Sequence, residues 1–256
     1  MPDTAAKAAL GDFEKDIGRV EQLLRLIYIF RDFAGQPAEL SGLAQDLYDV
    51  AQRARTDLPI LSGSLLLYLC GRFEYFVREL VGTIVDDLVD KAATYEELPS
   101  ALRKEALIRT LQINLNPSKF NYSATSASAL AAQLANNLSS RSDGSSSLFV
   151  DSTTVTITES NMRPDVLADL FKRVGISGLW DTLGKQLTLK SFLEEATDDG
   201  CKKAAMARLD DIMNERNKVA HPIGDAVFPD AAIVEKIAHY FRALAQVLVD
   251  LALAPR

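Results

Sequence analysis

The sequence predicts an all-α bundle that carries a mid-chain insertion, and three observations support this. Apolar side chains recur at helical spacing over long stretches near both ends and in the middle of the chain. Glycine and proline punctuate those stretches, and period-two alternation is confined to one short segment, Phe149 to Thr158.

Residues 4–33 place Val20, Leu23, Leu24, Ile27 and Phe30 on one side of a first helix, which breaks at Gly35 and Pro37. Residues 40–55 give a shorter amphipathic helix with Leu43, Leu47 and Val50, closed by Asp57-Leu58-Pro59. From Ile60 to Lys91 the row Leu61, Leu65, Leu69, Phe73, Phe76, Leu80, Ile84 and Leu88 runs for roughly eight turns, which marks a central helix. Glu74 interrupts a second, otherwise apolar row on it, and a carboxylate buried there needs a partner. Residues 95–138 read as two or three short helices separated at Asn114–Pro117 and at Phe120-Asn121-Tyr122. Ser139 to Ser147, with Asp143-Gly144, reads as a surface loop, and Phe149 to Thr158 as a short strand or hairpin. Pro164 and Gly175 bracket a further helix, a short one is expected within 188–196, and helices over 203–220 and 230–253 complete the chain. The expected organisation is one domain over 1–256: N-terminal helices at 1–58, a bundle core from 59–95 and 163–254, and an insertion at 96–162.

At 256 residues the chain is long enough to bury a substantial core. Twenty-eight Lys and Arg against 35 Asp and Glu leave a net charge of −7, so attraction to a polyanion must come from a local site. Cys70 and Cys201 are too few for a disulfide framework and lack metal-ligand spacing. Met1 to Leu10 lacks an apolar signal core, and the long apolar runs are interrupted by charge, so the expectation is a cytoplasmic protein without a membrane span. No Gly-x-Ser-x-Gly elbow, phosphate loop or metal-binding cluster is readable, and no cofactor or metal is expected.

The chemistry-bearing stretch is Asn214-Glu215-Arg216-Asn217-Lys218-Val219-Ala220-His221-Pro222. Arg216 falls on the helix row of Ala205, Leu209, Ile212 and Ala220, whereas Asp210, Asp211, Asn214 and Lys218 fall on the other side. A guanidinium on that row calls for an acid or a phosphate, and Glu74 is the candidate acid. His221 stands before Pro222, at the helix C-terminus, where the macrodipole favours the imidazolium and proton transfer near neutrality is accessible. Spacing alone favours the structural reading, a capping or solvent-exposed histidine and an arginine that snorkels at an interface. His239, with Glu235, Arg242, Gln246 and Asp250, reads as a solvated surface residue.

An Arg, a polar residue beside it and a His after four intervening residues, closed by proline, is similar to the signature of the HEPN superfamily of small helical ribonucleases and nucleotide-binding modules. The order of elements also resembles that superfamily: an earlier long helix with an aromatic and acidic stretch, Leu69 to Phe76, and a last long helix after the motif. The segment from Glu159 through Ile176 looks like the piece that precedes the motif in the RiboL-PSP and MAE-type subfamilies, and the likeness covers 60–95 and 160–254. It implies a HEPN-type bundle that pairs as a homodimer and cuts RNA without a metal, with Arg216, His221, Asn217 and Glu74 as site residues. It further implies a toxin or antiviral role, with an antitoxin or neighbouring defence protein as partner. One departure stands at Asp225, where toxins modified by a partner nucleotidyltransferase carry a tyrosine four residues after the histidine. The alternative is a noncatalytic interaction module that binds a protein or nucleotide, which the acidic net charge favours; a plain structural bundle is the third reading.

Overall fold

A computed structural model describes residues 2–35, 42–139, 148–222 and 227–254. Helices α1 (Pro2–Ala34), α2 (Leu43–Ala54) and α3 (Leu58–Lys91) come first, followed by α4 (Ser100–Leu115) and α5 (Ala124–Ser139). One-turn α6 (Ser152–Val155) leads to α7 (Pro164–Arg173), α8 (Leu179–Leu183), α9 (Leu187–Leu193), α10 (Asp198–Ala220) and α11 (Ala231–Leu253). Among the described residues there is no strand.

α3 is the helix the others pack around. Leu66, Leu69, Phe73, Phe76, Val77, Leu80 and Val81 on it are buried, and α1, α10 and α11 all lie against it. By length and composition α3 could also cross a bilayer; here its apolar rows are taken up by neighbouring helices. Four phenylalanines lock α1, α3 and α11 together. Phe13 stacks on Phe76 at 5.1 Å between ring centroids, and Phe73 stacks on Phe241 at 4.3 Å. Offset stacking of buried rings stabilises such a junction by about 0.5–1.5 kcal/mol per pair beyond the area it removes from water.

Helix α1 runs antiparallel to both α3 and α11. Asp16 meets Tyr68 and Arg72, and further along α1 Glu21 meets Arg242, Tyr28 meets Glu235 and Arg31 meets Asp230. His239 is about half exposed, with Nε2 at 3.5 Å from Glu21, so it is the surface residue its helix face predicts. The apolar residues of α2 do not enter the core: Leu43, Leu47 and Val50 are exposed, and only Ala51 is buried. Together α1, α2 and α3 leave an apolar groove of about 360 Å3 lined by Leu23, Leu26, Phe30, Leu58, Leu61 and Leu65.

Asn121 takes a left-handed conformation (φ 60°) and turns the chain between α4 and α5. The strand or hairpin suggested by the alternation of residues 149–158 does not form. Asp151 caps α6 instead, accepting from the Thr153 backbone N–H at 2.9 Å, and the Thr156 hydroxyl donates back to the Ser152 carbonyl at 3.0 Å. Such local side-chain bonds offer threonine-rich backbone a helical turn in place of a ladder. The serine-rich loop and Asp143-Gly144 lie outside the described residues from position 140 to 147, as does Asp225. Helix α8 has no counterpart in the sequence reading, being too short to show a period; Gly178 admits it through a positive φ of 67°.

Asp16 supplies a measurable test of the α1–α3 contact. Its side chain is 3% exposed and accepts from the Tyr68 hydroxyl at 2.7 Å, from Arg19 at 2.7 Å and from Arg72. Burial alone would raise the carboxyl pKa, but hydrogen bonds from Tyr68 and Arg72, with the Arg72 charge and Arg19, hold it below the ordinary value. A depressed folded-state pKa contributes stability that is present above the unfolded value, about 3.9, and lost as pH falls through the folded value. Asp16→Asn is therefore expected to lower the urea-unfolding free energy by ~2 kcal/mol at pH 7. The gap to wild type should shrink on acidification below about pH 4; equal stabilities at pH 7 would contradict it.

Candidate active site

Helix α10 starts at a Thr197 cap, whose side chain accepts from the Gly200 backbone N–H at 3.0 Å, with Asp198 and Asp199 in the first turn where the macrodipole favours acids. Cys201, Ala205, Leu209, Ile212, Met213 and Val219 bury one side of it. Its end is held against α3 at Gly63, where a β-carbon would stand 2.6 Å from the Phe228 ring and 3.1 Å from Val219. The helix therefore finishes beside the first turns of α3. His221 follows in a non-helical conformation (φ −130°, ψ 66°), its backbone N–H donating to the Asn217 carbonyl at 3.0 Å, and its side chain is exposed.

Arg216 is half-buried, between the apolar row and solvent. Its Nη1 donates to Asn217 Oδ1 at 3.2 Å. Among the described residues no carboxylate pairs with it, and its Nε and Nη2, like the Asn217 Nδ2 amide, have no protein acceptor yet are open to solvent. The arrangement offers several N–H donors with a positive charge, one turn before an exposed imidazole, and such donors suit an oxyanion.

The ion pair expected between Glu74 and Arg216 does not form. Glu74 accepts instead from Arg78 at 2.5 Å and from the Thr158 hydroxyl at 3.0 Å. Arg78 is one turn along the same helix, and a close i, i+4 partner satisfies the carboxylate without any helix-to-helix reach. Glu74 and Arg216 nevertheless share a neighbour, the buried thiol of Cys70.

The sequence reading missed residues 158–163 as part of this site. They form a strap over the seam between α3 and α10, pinned by Met162, which is 1% exposed. Thr158 bonds Glu74, Asn161 Nδ2 donates to Asn217 Oδ1 at 2.5 Å, and the Arg163 guanidinium reaches Asp210 and, at 2.7 Å, Asn214. Glu159 binds Arg109 of α4 at 2.5 Å, and that hydrogen bond and charge hold its carboxyl below the usual range. Aperiodic polar residues so far from the motif show no period; the signal for them is the likeness of the segment from Glu159 to the piece that precedes the motif, which assigns no residue in it a role at the site.

A protein-family model described as RiboL-PSP-HEPN matches residues 37–254. No curated protein and no solved structure matches the chain.

Cys70 probes the packing beneath Arg216. Burial pushes its thiol up to about 12, with the Arg216 charge pulling down and that of Glu74 pushing up, and burial raises Cys201 as well. A raised pKa leaves the unreactive protonated form dominant. At pH 8 the native protein is expected to react slowly with a disulfide reagent such as DTNB, and to release two equivalents once unfolded. Rapid labelling of the folded protein would refute the burial of this face.

Proposed function

Because the chain belongs to the RiboL-PSP-HEPN family, we propose that it is a metal-independent endoribonuclease whose chemistry is centred on Arg216 and His221. The observation that supports this most is the set of donors on Arg216 and Asn217 that find no acceptor among the described residues, beside an exposed histidine at the end of α10. In the proposed reaction a ribose 2′-hydroxyl attacks the adjacent phosphorus. The bond to the 5′-oxygen of the next nucleotide breaks, leaving a 2′,3′-cyclic phosphate and a 5′-hydroxyl. His221 accepts the 2′-hydroxyl proton or delivers one to the departing oxygen. Arg216 stabilises the charge that builds on the phosphorane oxygens, and Asn217 donates alongside it. Glu74 acts at one remove, through Arg78 and Thr158. In a homodimer two such Arg/His pairs would face one cleft, so that one protomer's imidazole could act as base and its partner's as acid. With a net charge of −7, capture of RNA rests on these local donors.

A second reading is supported by the apolar groove between α1, α2 and α3, together with the acidic net charge: a noncatalytic module that holds a protein partner, such as an antitoxin or neighbouring defence protein.

The decisive experiment incubates wild type, Arg216→Ala and His221→Ala with total RNA in EDTA. Wild type is expected to cleave, and each variant to lose about 100-fold or more, the scale of a general acid–base group or an oxyanion donor. Equal cleavage by all three rules out this site, and no cleavage by wild type favours the module.

A further inference from the structure

The strap brings a polar side chain to the motif that the motif itself does not contain. Asn217 Oδ1 accepts two hydrogen bonds, from Arg216 Nη1 at 3.2 Å and from Asn161 Nδ2 at 2.5 Å, which uses both lone pairs of an amide oxygen. Arg216 can only donate, so the atom of Asn217 beside it must be the oxygen. That leaves Asn217 Nδ2 without an acceptor among the described residues and open to solvent, as are Arg216 Nε and Nη2. With the Asn161 contact gone, the amide would keep a single, longer bond and be free to turn.

We propose that Asn161 is a positioning residue, which clamps the Asn217 amide so that its N–H donors and those of Arg216 face the same phosphodiester oxygens. The proposal rests on the ribonuclease reading above and extends it beyond the motif. It also ties the site to the 96–162 insertion. Asn161 is held between Thr158, bonded to Glu74, and Arg163, bonded to Asn214, while Glu159 reaches Arg109 on α4. α4 is thereby linked to Asn217 through the Arg109–Glu159 pair, the backbone of the strap and the Asn161 hydrogen bond.

The test compares wild type with Asn161→Ala, Asn161→Asp and Asn161→Gln, using the full chain. In RNA cleavage, the Ala and Asp variants are expected to lose about 10- to 100-fold in kcat, the size of effect that small misplacements of catalytic groups produce, with KM changed less than about threefold. Asn161→Gln, which keeps the amide donor, should recover most of the loss. A second readout does not need activity: the Asn217 side-chain amide cross-peaks in a nitrogen–proton NMR spectrum, assigned by their disappearance in Asn217→Asp. These should shift in the Ala and Asp variants, by more than the other asparagine amides outside the strap. Wild-type cleavage rates in both variants, or unmoved Asn217 resonances, would overturn the proposal. If wild type does not cleave RNA, the ribonuclease reading fails, and the NMR outcome by itself decides whether Asn161 clamps Asn217. Should Asn161→Ala not fold, Asn161→Asp, which keeps size and polarity but loses the donor, gives the same two readouts.

Discussion

Burial of one broad face of α3 is the constraint from which the rest of the architecture follows. A helix carrying Leu66, Leu69, Phe73, Phe76, Val77, Leu80 and Val81 on its buried surface cannot be covered by one neighbour. It takes α1, α10 and α11 together, and the stacked rings of Phe13, Phe73, Phe76 and Phe241 set their register. Because α10 is one of those neighbours, its final turn is placed by the same packing. Gly63 admits Val219 and Phe228 at a distance that a larger residue would disturb, so the geometry of Arg216 and His221 is inherited from the core.

A second layer of organisation is polar. Buried Arg109 and Arg173 share Glu105, and Arg173 also donates to the carbonyls of Val155 at 2.7 Å and Ile157 at 3.0 Å. Two guanidinium groups are thereby desolvated with their partners in place, the condition under which burial of charge is tolerated. Those bonds fix the segment at residues 155–157, and from there the strap runs across the seam to Asn217. Residues 96–162 are joined to the bundle both by apolar burial, through Leu102, Ala106, Val155 and Met162, and by these directional contacts. The two kinds of bond divide the work: apolar burial brings α10 to α3, and hydrogen bonds set how its last polar side chains are turned.

The long helices were legible because their period is repeated many times; α3 and α11 begin and end within about two residues of the positions their patterns predict. Alternation at Phe149 to Thr158 misled, since β-branched residues alternate as readily around a capped turn as along a strand, and the Asp151 cap decides between them. In α2 the apolar pattern correctly marked a helix, but Leu43, Leu47 and Val50 face outward, because periodicity identifies a face without saying what covers it. Glu74 was singled out as a carboxylate that would need a partner if buried; it is only partly buried, and the cation beside it is Arg78, one turn away.

What the sequence determined by itself is local and periodic: an all-α chain, a central apolar helix, and an Arg–Asn pair followed by a histidine at a proline-terminated helix end. Helical spacing and backbone restriction act within a few residues, so the order of residues is enough to encode them. Only the tertiary structure decided that no carboxylate among the described residues pairs with Arg216, that Glu74 turns to Arg78 and Thr158, and that Asn161 closes on Asn217. Those outcomes depend on hydrogen bonds of a few ångströms between segments far apart in the chain, and such contacts exist only once the core has fixed where each segment runs.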